Sequence, residues 1–573
     1  MERGAHMRIT AITAVLLVWL SGTALAQTAE ELKQDAATPH NVLTLGMGYG
    51  LQRYSPLVQV NKKSVKRLVP IWNYSLADTQ GQESQPLVFN GVMYVTTHNS
   101  TVAIDTLTDK QIWKSVIEYP PETPRIACCG IVNRGAALYR GKLYRTTLDA
   151  HVLALDIKTG KELWRSQAID FKTGYSFTVA PLVAHDVVIT GISGAEYGIR
   201  GFIDGWDPDT GAQLWRRYTI AAPGEPGGDT WPGDTWQHGG GSAWLTGSYD
   251  PDLDLVYWGT GNGGPWNAEF RKGDNLYSTS VLAIRPKTGE IAWHYQFSPN
   301  DPYDYDGVNE LVQAELEIDG KVRKVIMQAN RNGYFYVIDR TNGALLRANP
   351  YVKVTWADGI DMRTGRPIES ALTKHMRATG EKIEVWPSAF GGKNWTPMSF
   401  NPQTGLVYAN TLNIGMTYKP EEPQYRAGTF YFGIDLNQLA FAWPQGEASA
   451  YLSAIDPLTG KAKWQVPLDI ANWAGTLTTA GGMVFTGAQT GEFMAFDADT
   501  GEKLWQFQTG SGITGQPITW EQDGKQYIAV TSGSGGAYSI FVPLFGAANH
   551  KVNHLLQSTP KGGSVWTFAV RDE

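Results

Sequence analysis

The chain has 573 residues and a formal net charge of −7, which argues against a broad nucleic-acid-binding surface. Its 63 glycines, 21 tryptophans and 26 tyrosines describe many short strands, tight turns and aromatic packing rather than a helical chain. The length would accommodate several ordinary domains, but this composition favours one large all-β unit over residues 27–573.

Residues 1–26 read as a cleaved export signal. Arg3 and Arg8 supply the positive end, Ile9 to Leu20 the apolar run, and Ala24-Leu25-Ala26 a small-x-small cleavage site. The run is short for a membrane span, and no later stretch is long and apolar enough to be one. The mature chain is therefore expected in the periplasm, without a membrane span.

One phrase then recurs. It appears at Ala103 to Trp113, most clearly at Ala154-Leu-Asp-Ile-Lys-Thr-Gly-Lys-Glu-Leu-Trp164, and again at Gly205 to Trp215, Ala283 to Trp293, Ala454 to Trp464 and Ala495 to Trp505. Degenerate copies without the tryptophan stand at Val337 to Leu346 and Ser399 to Tyr408. An alternating run makes a strand, a turn ends on a glycine that tolerates positive φ, and a second strand ends in a ring able to pack between sheets. Self-similarity of this kind predicts the blades of a β-propeller. Eight copies predict an eight-bladed propeller with Trp-docking repeats, seven blades being the alternative. Closure is expected between a strand near Leu43 to Leu45, or slightly later, and Val565 to Val570, which leaves no open sheet edge.

The only two cysteines are neighbours, Cys128 and Cys129. In an oxidising compartment the sole intramolecular partner of each is the other, so the pair is a vicinal disulfide or two buried thiols. A Cys-x-x-Cys-His haem attachment is ruled out.

Cys128-Cys129, Gly194-Ala195-Glu196, Gly259-Thr-Gly-Asn262 and Pro302-Tyr-Asp-Tyr-Asp306-Gly-Val-Asn occur in an order that, with the tryptophan repeats, resembles the quinoprotein methanol/ethanol dehydrogenase family from about Asn41 to Val570. The resemblance implies a pyrroloquinoline quinone (PQQ) cofactor, a metal ion, an alcohol substrate, a separate electron acceptor such as a cytochrome c, and a possible homodimer. It implies Glu196, Asn262 and Asp304 as metal ligands, with Asp304 also the catalytic base and Arg331 the cation beside the quinone oxygens. Trp244 matches the ring stacked on one face of the quinone, with Cys128 and Cys129 on the other. Glu83, Arg134, Thr178, Ser193, Gly194, Ala195, Asn394 and Trp473 match further cofactor contacts. Asp306 matches a second aspartate carried by lanthanide-using members, and three carboxylates together with the quinone's acid groups suit a trivalent ion better than calcium, the alternative. A calcium-dependent enzyme of the same fold and a non-catalytic propeller scaffold are the competing readings.

Ala537, in Gly533-Ser-Gly-Gly-Ala537-Tyr538, stands where the methanol-type enzymes place a bulky tryptophan, so a wider chamber for larger or secondary alcohols is expected. Phe430, Tyr431 and Phe432 are candidates for an apolar wall or lid, or for ordinary loop packing.

Overall fold

The computed structural model describes residues 27–540, 554–555 and 557–572; the expected export signal over residues 1–26 lies outside them. Eight antiparallel sheets follow one another among these residues. The first runs from Leu87–Phe89 to Gln111–Val116, the second from Ala137–Tyr139 to Glu162–Gln167, and the third from Leu182–Ala184 to Gln213–Tyr218. The fourth spans Ser248–Asp250 to Ile291–Gln296, the fifth Val312–Ile318 to Leu345–Pro350, the sixth Ser399–Asn401 to Ala462–Pro467 and the seventh Thr476–Thr479 to Lys503–Gln508. Each has four strands in sequence order, and the seventh gains a fifth, parallel strand at Tyr54–Ser55. This is β-propeller architecture. Inner strands such as Val187–Gly191 and Phe202–Trp206 are buried throughout, whereas outermost strands such as Glu162–Gln167 alternate exposed and half-buried residues. The pattern is that of sheets packed face to face with only their outer edges in water.

The repeat is the contact between neighbouring sheets. In its third and fourth strands a small residue faces the tryptophan: Ala103 opposite Trp113, Ala154 opposite Trp164, Gly205 opposite Trp215, Ala454 opposite Trp464, Ala495 opposite Trp505, each beside a bulge. The ring then crosses to the next sheet. Trp113 Nε1 donates to Ile157 O at 3.0 Å, Trp164 to Pro208 O at 3.2 Å, Trp215 to Pro286 O at 2.9 Å, and Trp464 to Ala498 O at 3.1 Å. Each ring lies on the turn glycine of that next repeat. A methyl group on Gly160, Gly211, Gly289 or Gly501 would sit 2.4–2.6 Å from the ring, and all four have φ between +68° and +76°.

The eighth sheet is built from both ends of the chain. Ile518–Gln522 and Lys525–Ser532 pair on to Ser564–Val570, which pairs with Leu68–Ser75. Thr567 faces Trp72 beside a bulge, as Ala103 faces Trp113, and Trp72 Nε1 reaches Thr106 O at 2.9 Å in the first sheet. The strand that pairs with the C-terminal one is thus Leu68–Ser75 and not the Leu43–Leu45 segment, where Val42 instead bridges Val88. One expected repeat moves too. Ser399 to Tyr408 forms the first two strands of the sixth sheet, whose docking repeat is Ala454 to Trp464; the remaining copy is Trp72 with Thr567.

Two excursions leave this frame. Between the fifth and sixth sheets come the hairpin Ala357–Asp361 and Arg366–Glu369 and the helix Ala371–Thr379, capped by Ser370 and stopped by Gly380 at φ +70°. Ile383–Val385 then pairs with Gly415–Tyr418, and that strand with Phe441–Ala442, in a small sheet standing outside the eight. No helix among the described residues is long and apolar enough to cross a membrane.

Candidate functional site

In a four-stranded antiparallel sheet the chain enters the first strand at the same end at which it passes from the second to the third. The residues singled out from the sequence all occupy one of these two positions. Glu83, Cys128, Cys129, Arg134, Thr178, Trp244, Asp304, Asp306, Asn394 and Trp473 lie in segments leading into a first strand. Ser193, Gly194, Ala195, Glu196, Asn262, Arg331 and Ala537 lie in second-to-third connections. Residues spread over some 450 positions therefore collect at one end of the fold.

They surround a single cavity. Its lining includes Cys128, Cys129, Arg134, Thr178, Ser193, Gly194, Glu196, Trp244, Asp304, Asp306, Arg331, Asn394, Trp473 and Ala537. Ala195 and Asn262 are buried just behind it, and Glu83 stands behind Arg134, lining a smaller adjoining space.

The acidic end is the most charged. Arg331 Nη1 donates to Asp304 Oδ2 at 3.0 Å, and its Nη2 lies 3.1 Å from Asp306 Oδ2. Asp306 also accepts from Trp244 Nε1 at 3.1 Å and from the Asn262 backbone N–H at 2.6 Å. Burial pushes the Glu196 carboxyl up to about 7, with Asp306 adding to the rise. Burial likewise holds Asp304 well above the usual carboxylate range; Arg331 opposes this, and Asp306 and Glu196 reinforce it. Asp304 Oδ1 and Asn262 Oδ1 are buried without a hydrogen-bond partner. Asp304 has φ +64°, a left-handed conformation that costs a non-glycine residue energy. Three carboxylates against one guanidinium, with two unmatched amide and carboxylate oxygens, form a donor set that suits a hard, highly charged cation.

The rest of the lining carries a second guanidinium, paired from behind. Arg134 Nη2 pairs with Glu83 at 2.8 Å, and its Nη1 donates to Thr178 Oγ1 at 2.7 Å, which meets Ser193 Oγ at 3.0 Å. The Arg134 guanidinium lies 4.8 Å from the centres of the Trp244 and Trp395 rings. The sulfur atoms of Cys128 and Cys129 face each other in the same cavity, Cys128 Sγ standing 3.2 Å from Glu196 Oε2. A planar, polycarboxylated aromatic matches a slot with an indole face, a sulfur pair, a guanidinium and two hydroxyls.

Sequence reasoning missed part of the wall. Trp266, Ala389, Phe390, Trp395, Leu439 and Phe441 also line the cavity. Phe390 stacks on Phe441 at 4.7 Å and packs edge-on against Trp473 at 5.7 Å. Most of these come from the excursions around the sixth sheet, whose sequence carries no repeat to place them. The Phe430 loop plays a different part. Tyr431 N donates to Glu196 O at 2.7 Å, Phe432 packs on Trp266, and Phe430 stacks on Tyr197 while half exposed. These rings brace the wall from outside instead of forming it.

Comparison with known proteins agrees with this geometry. The family described as "Glucose/ethanol/alcohol dehydrogenase, beta-propeller domain" matches residues 44–355 and 428–528. The quinoprotein alcohol dehydrogenase PedH of Pseudomonas putida is 41% identical over 596 residues, covering 100% of this chain and 98% of its own. The lanthanide-dependent methanol dehydrogenase of Methylacidiphilum fumariolicum is 39% identical over 590 residues, with 96% of each chain covered. Among solved structures, a europium-containing methanol dehydrogenase superposes with a TM-score of 0.89 at 37% identity, covering 94% of this chain and 100% of that one.

Proposed function

The chain belongs to the PQQ-dependent alcohol dehydrogenase family and catalyses PQQ-dependent alcohol oxidation; from that premise we propose that it is a periplasmic, eight-bladed enzyme whose metal is a lanthanide, with calcium the second reading. The observation that carries the metal is the buried set of Glu196, Asp304 and Asp306 facing the single guanidinium of Arg331. With Arg331 counted these groups leave a net −2, to which the acid groups of a bound cofactor would add, so a divalent ion leaves an excess that a trivalent ion reduces.

Each side chain then has a task. Glu196, Asn262, Asp304 and Asp306 would hold the cation, with the unmatched Oδ1 of Asn262 among the donor oxygens. Arg134, Thr178, Ser193 and Asn394 would hold the carboxylates and edge of the cofactor, with Glu83 pairing with Arg134 and Gly194 and Ala195 offering close backbone. Trp244, an oxidised Cys128–Cys129 pair and Trp473, which line the cavity, would enclose its ring system. When bound, PQQ supplies a carbonyl that takes hydride from the carbinol carbon, and the cation supplies Lewis acidity toward it. Arg331 is placed to stabilise negative charge beside the cofactor, since its guanidinium is held on both aspartates. Asp304 takes the hydroxyl proton at its free Oδ1 while Arg331 keeps Oδ2 fixed. Its effectiveness rests on reach and orientation.

The substrate chamber is apolar. Trp266, Phe390, Leu439 and Phe441 exclude water, and Ala537 leaves room beside them for larger or secondary alcohols. With no Cys-x-x-Cys-His in the chain, electrons pass to a separate acceptor, for which a periplasmic cytochrome c is proposed.

Reconstitution tests the metal. Apo-protein with PQQ receives lanthanum or calcium and is assayed with an artificial acceptor and a panel of alcohols. Activity with lanthanum only, lost in Asp306→Ala, is expected. Activity with calcium alone would leave Asp306 a structural residue.

A further inference from the structure

Arg271 is a cation with no solvent exposure, and the chemistry above makes no use of it. It lies behind the acidic end of the cavity. Its Nε donates to Pro265 O at 2.7 Å, its Nη1 to Asn275 Oδ1 at 2.6 Å, and its Nη2 to Gly263 O at 3.2 Å and to Asp301 O. Gly263 directly follows Asn262. Asp301 opens the turn that carries Asp304 and Asp306, and its carboxylate accepts from the N–H groups of Tyr303 at 3.2 Å and Tyr305 at 2.8 Å. The guanidinium also packs flat on Gly263, where a Cβ would fall 2.6 Å from Arg271 Cζ. Asn275 closes the node by donating back to Arg271 O at 2.8 Å, and Asn300 joins it at Asn275 Oδ1 at 2.8 Å.

A buried cation carries a desolvation cost of several kcal/mol, and an apolar side chain would fill the same volume without it. What an apolar side chain lacks is a rigid fork able to hold oxygens from three segments at fixed spacing. We propose that Arg271 is the positioning residue of the metal site, tying the Asn262 connection to the Asp304–Asp306 turn so that ligands from two different segments stand at coordination spacing. The proposal rests on the metal-assisted reading given above. It concerns the spacing of the ligands, since Arg271 touches neither cofactor nor substrate.

Electrostatics and positioning predict opposite signs here. Deleting a buried positive charge near the site favours a bound cation, whereas loosening the ligand loops weakens it. The test is a terbium titration of full-length, PQQ-loaded protein followed by tryptophan-sensitised luminescence, repeated with lanthanum and calcium by competition. Arg271→Met and Arg271→Lys are expected to bind terbium about 10–100-fold more weakly, as when other outer partners of metal ligands are removed. Turnover is expected to return as the metal is raised to saturation. Asn275→Gly, at a residue with φ +58°, keeps the backbone and leaves Arg271 its bonds to Pro265, Gly263 and Asp301, while removing the Asn275 side chain's bonds to Arg271, Asn300 and Thr230, so a several-fold loss is expected even if the Arg271 variants fail to fold. Folded variants with parental or tighter terbium affinity would overturn the proposal, as would an unchanged Asn275→Gly. A parent protein that binds no terbium, lanthanum or calcium would instead refute the metal reading itself.

Discussion

Gly211→Ala tests whether the tryptophan repeat holds neighbouring sheets together. Gly211 sits at φ +73° in the turn of the third sheet, and an added methyl would lie 2.5 Å from Trp164 Cε3 and 2.7 Å from Ser166 Oγ. Two costs are expected. The left-handed backbone costs alanine about 1–2 kcal/mol, and forcing a methyl against a packed ring costs about 1–3 kcal/mol more. Gly320 separates them, because it has φ +74° in the Ile318–Lys321 hairpin with nothing within 4 Å of its would-be methyl. Gly320→Ala should therefore show the backbone cost alone. For a cooperative unit of this length about 1 kcal/mol corresponds to about 1 °C, so Tm should fall by about 1–2 °C in Gly320→Ala and about 2–5 °C in Gly211→Ala. The assay is calorimetry at one fixed scan rate, with Trp164→Leu as a third background. There the ring is gone, and the added cost of Gly211→Ala should shrink to that of Gly320→Ala. Equal shifts for the two glycines, or an undiminished cost in Trp164→Leu, would refute the docking argument.

Three further outcomes bear on the site. Because burial and Asp306 hold the Glu196 carboxyl near 7 in the apo-protein, a cation must displace its proton below that pH, so terbium affinity should be weaker at pH 6 than at pH 8; a flat profile would remove Glu196 from the ligand set. Ala537→Trp should lower kcat/KM for secondary and long primary alcohols by about 10–200-fold while sparing the smallest ones, and a uniform loss across the panel would place Ala537 outside the substrate wall. Glu83→Gln should weaken PQQ binding by about tenfold or more through its pair with Arg134, read by quenching of tryptophan fluorescence, and parental affinity would contradict the anchoring role.

Much of this was legible before any coordinates, and the reason is local. A docking repeat is contiguous, so a small residue, a turn glycine and a tryptophan announce themselves within eleven positions. The Ser399–Tyr408 segment misled because Asn401-Pro-Gln-Thr-Gly405 makes the same side-chain-capped turn, Asn401 Oδ1 accepting from Gln403 N as Asp207 Oδ1 accepts from Asp209 N. It lies one hairpin earlier in its sheet. The copy at Trp72 escaped because its two strands are separated by nearly the whole chain, and no window of sequence holds both. The site divides in the same way. Acids, the cysteine pair and Trp244 sit in short connections with recognisable strings, whereas Leu439, Phe441 and Arg271 reach their places through long-range packing that no periodicity records.

The sheet shared by Leu68–Ser75 and Ser564–Val570 bears on how the protein is made. Its N-terminal strand must wait for a partner that lies far downstream in the chain. Until that partner arrives, Trp505 lacks the settled Leu68 carbonyl to which it donates at 2.9 Å, and Trp72 has no paired strand to carry it to the first sheet. The four core strands of each other sheet lie in one stretch of chain and can form as that stretch appears, whereas this sheet waits for Ser564–Val570. A chain lacking Ser564–Val570 still carries the residues that line the cavity, but without the strand that joins Leu68–Ser75 to Lys525–Ser532. Losing Ser564–Val570 is thus expected to cost far more than its share of the molecule.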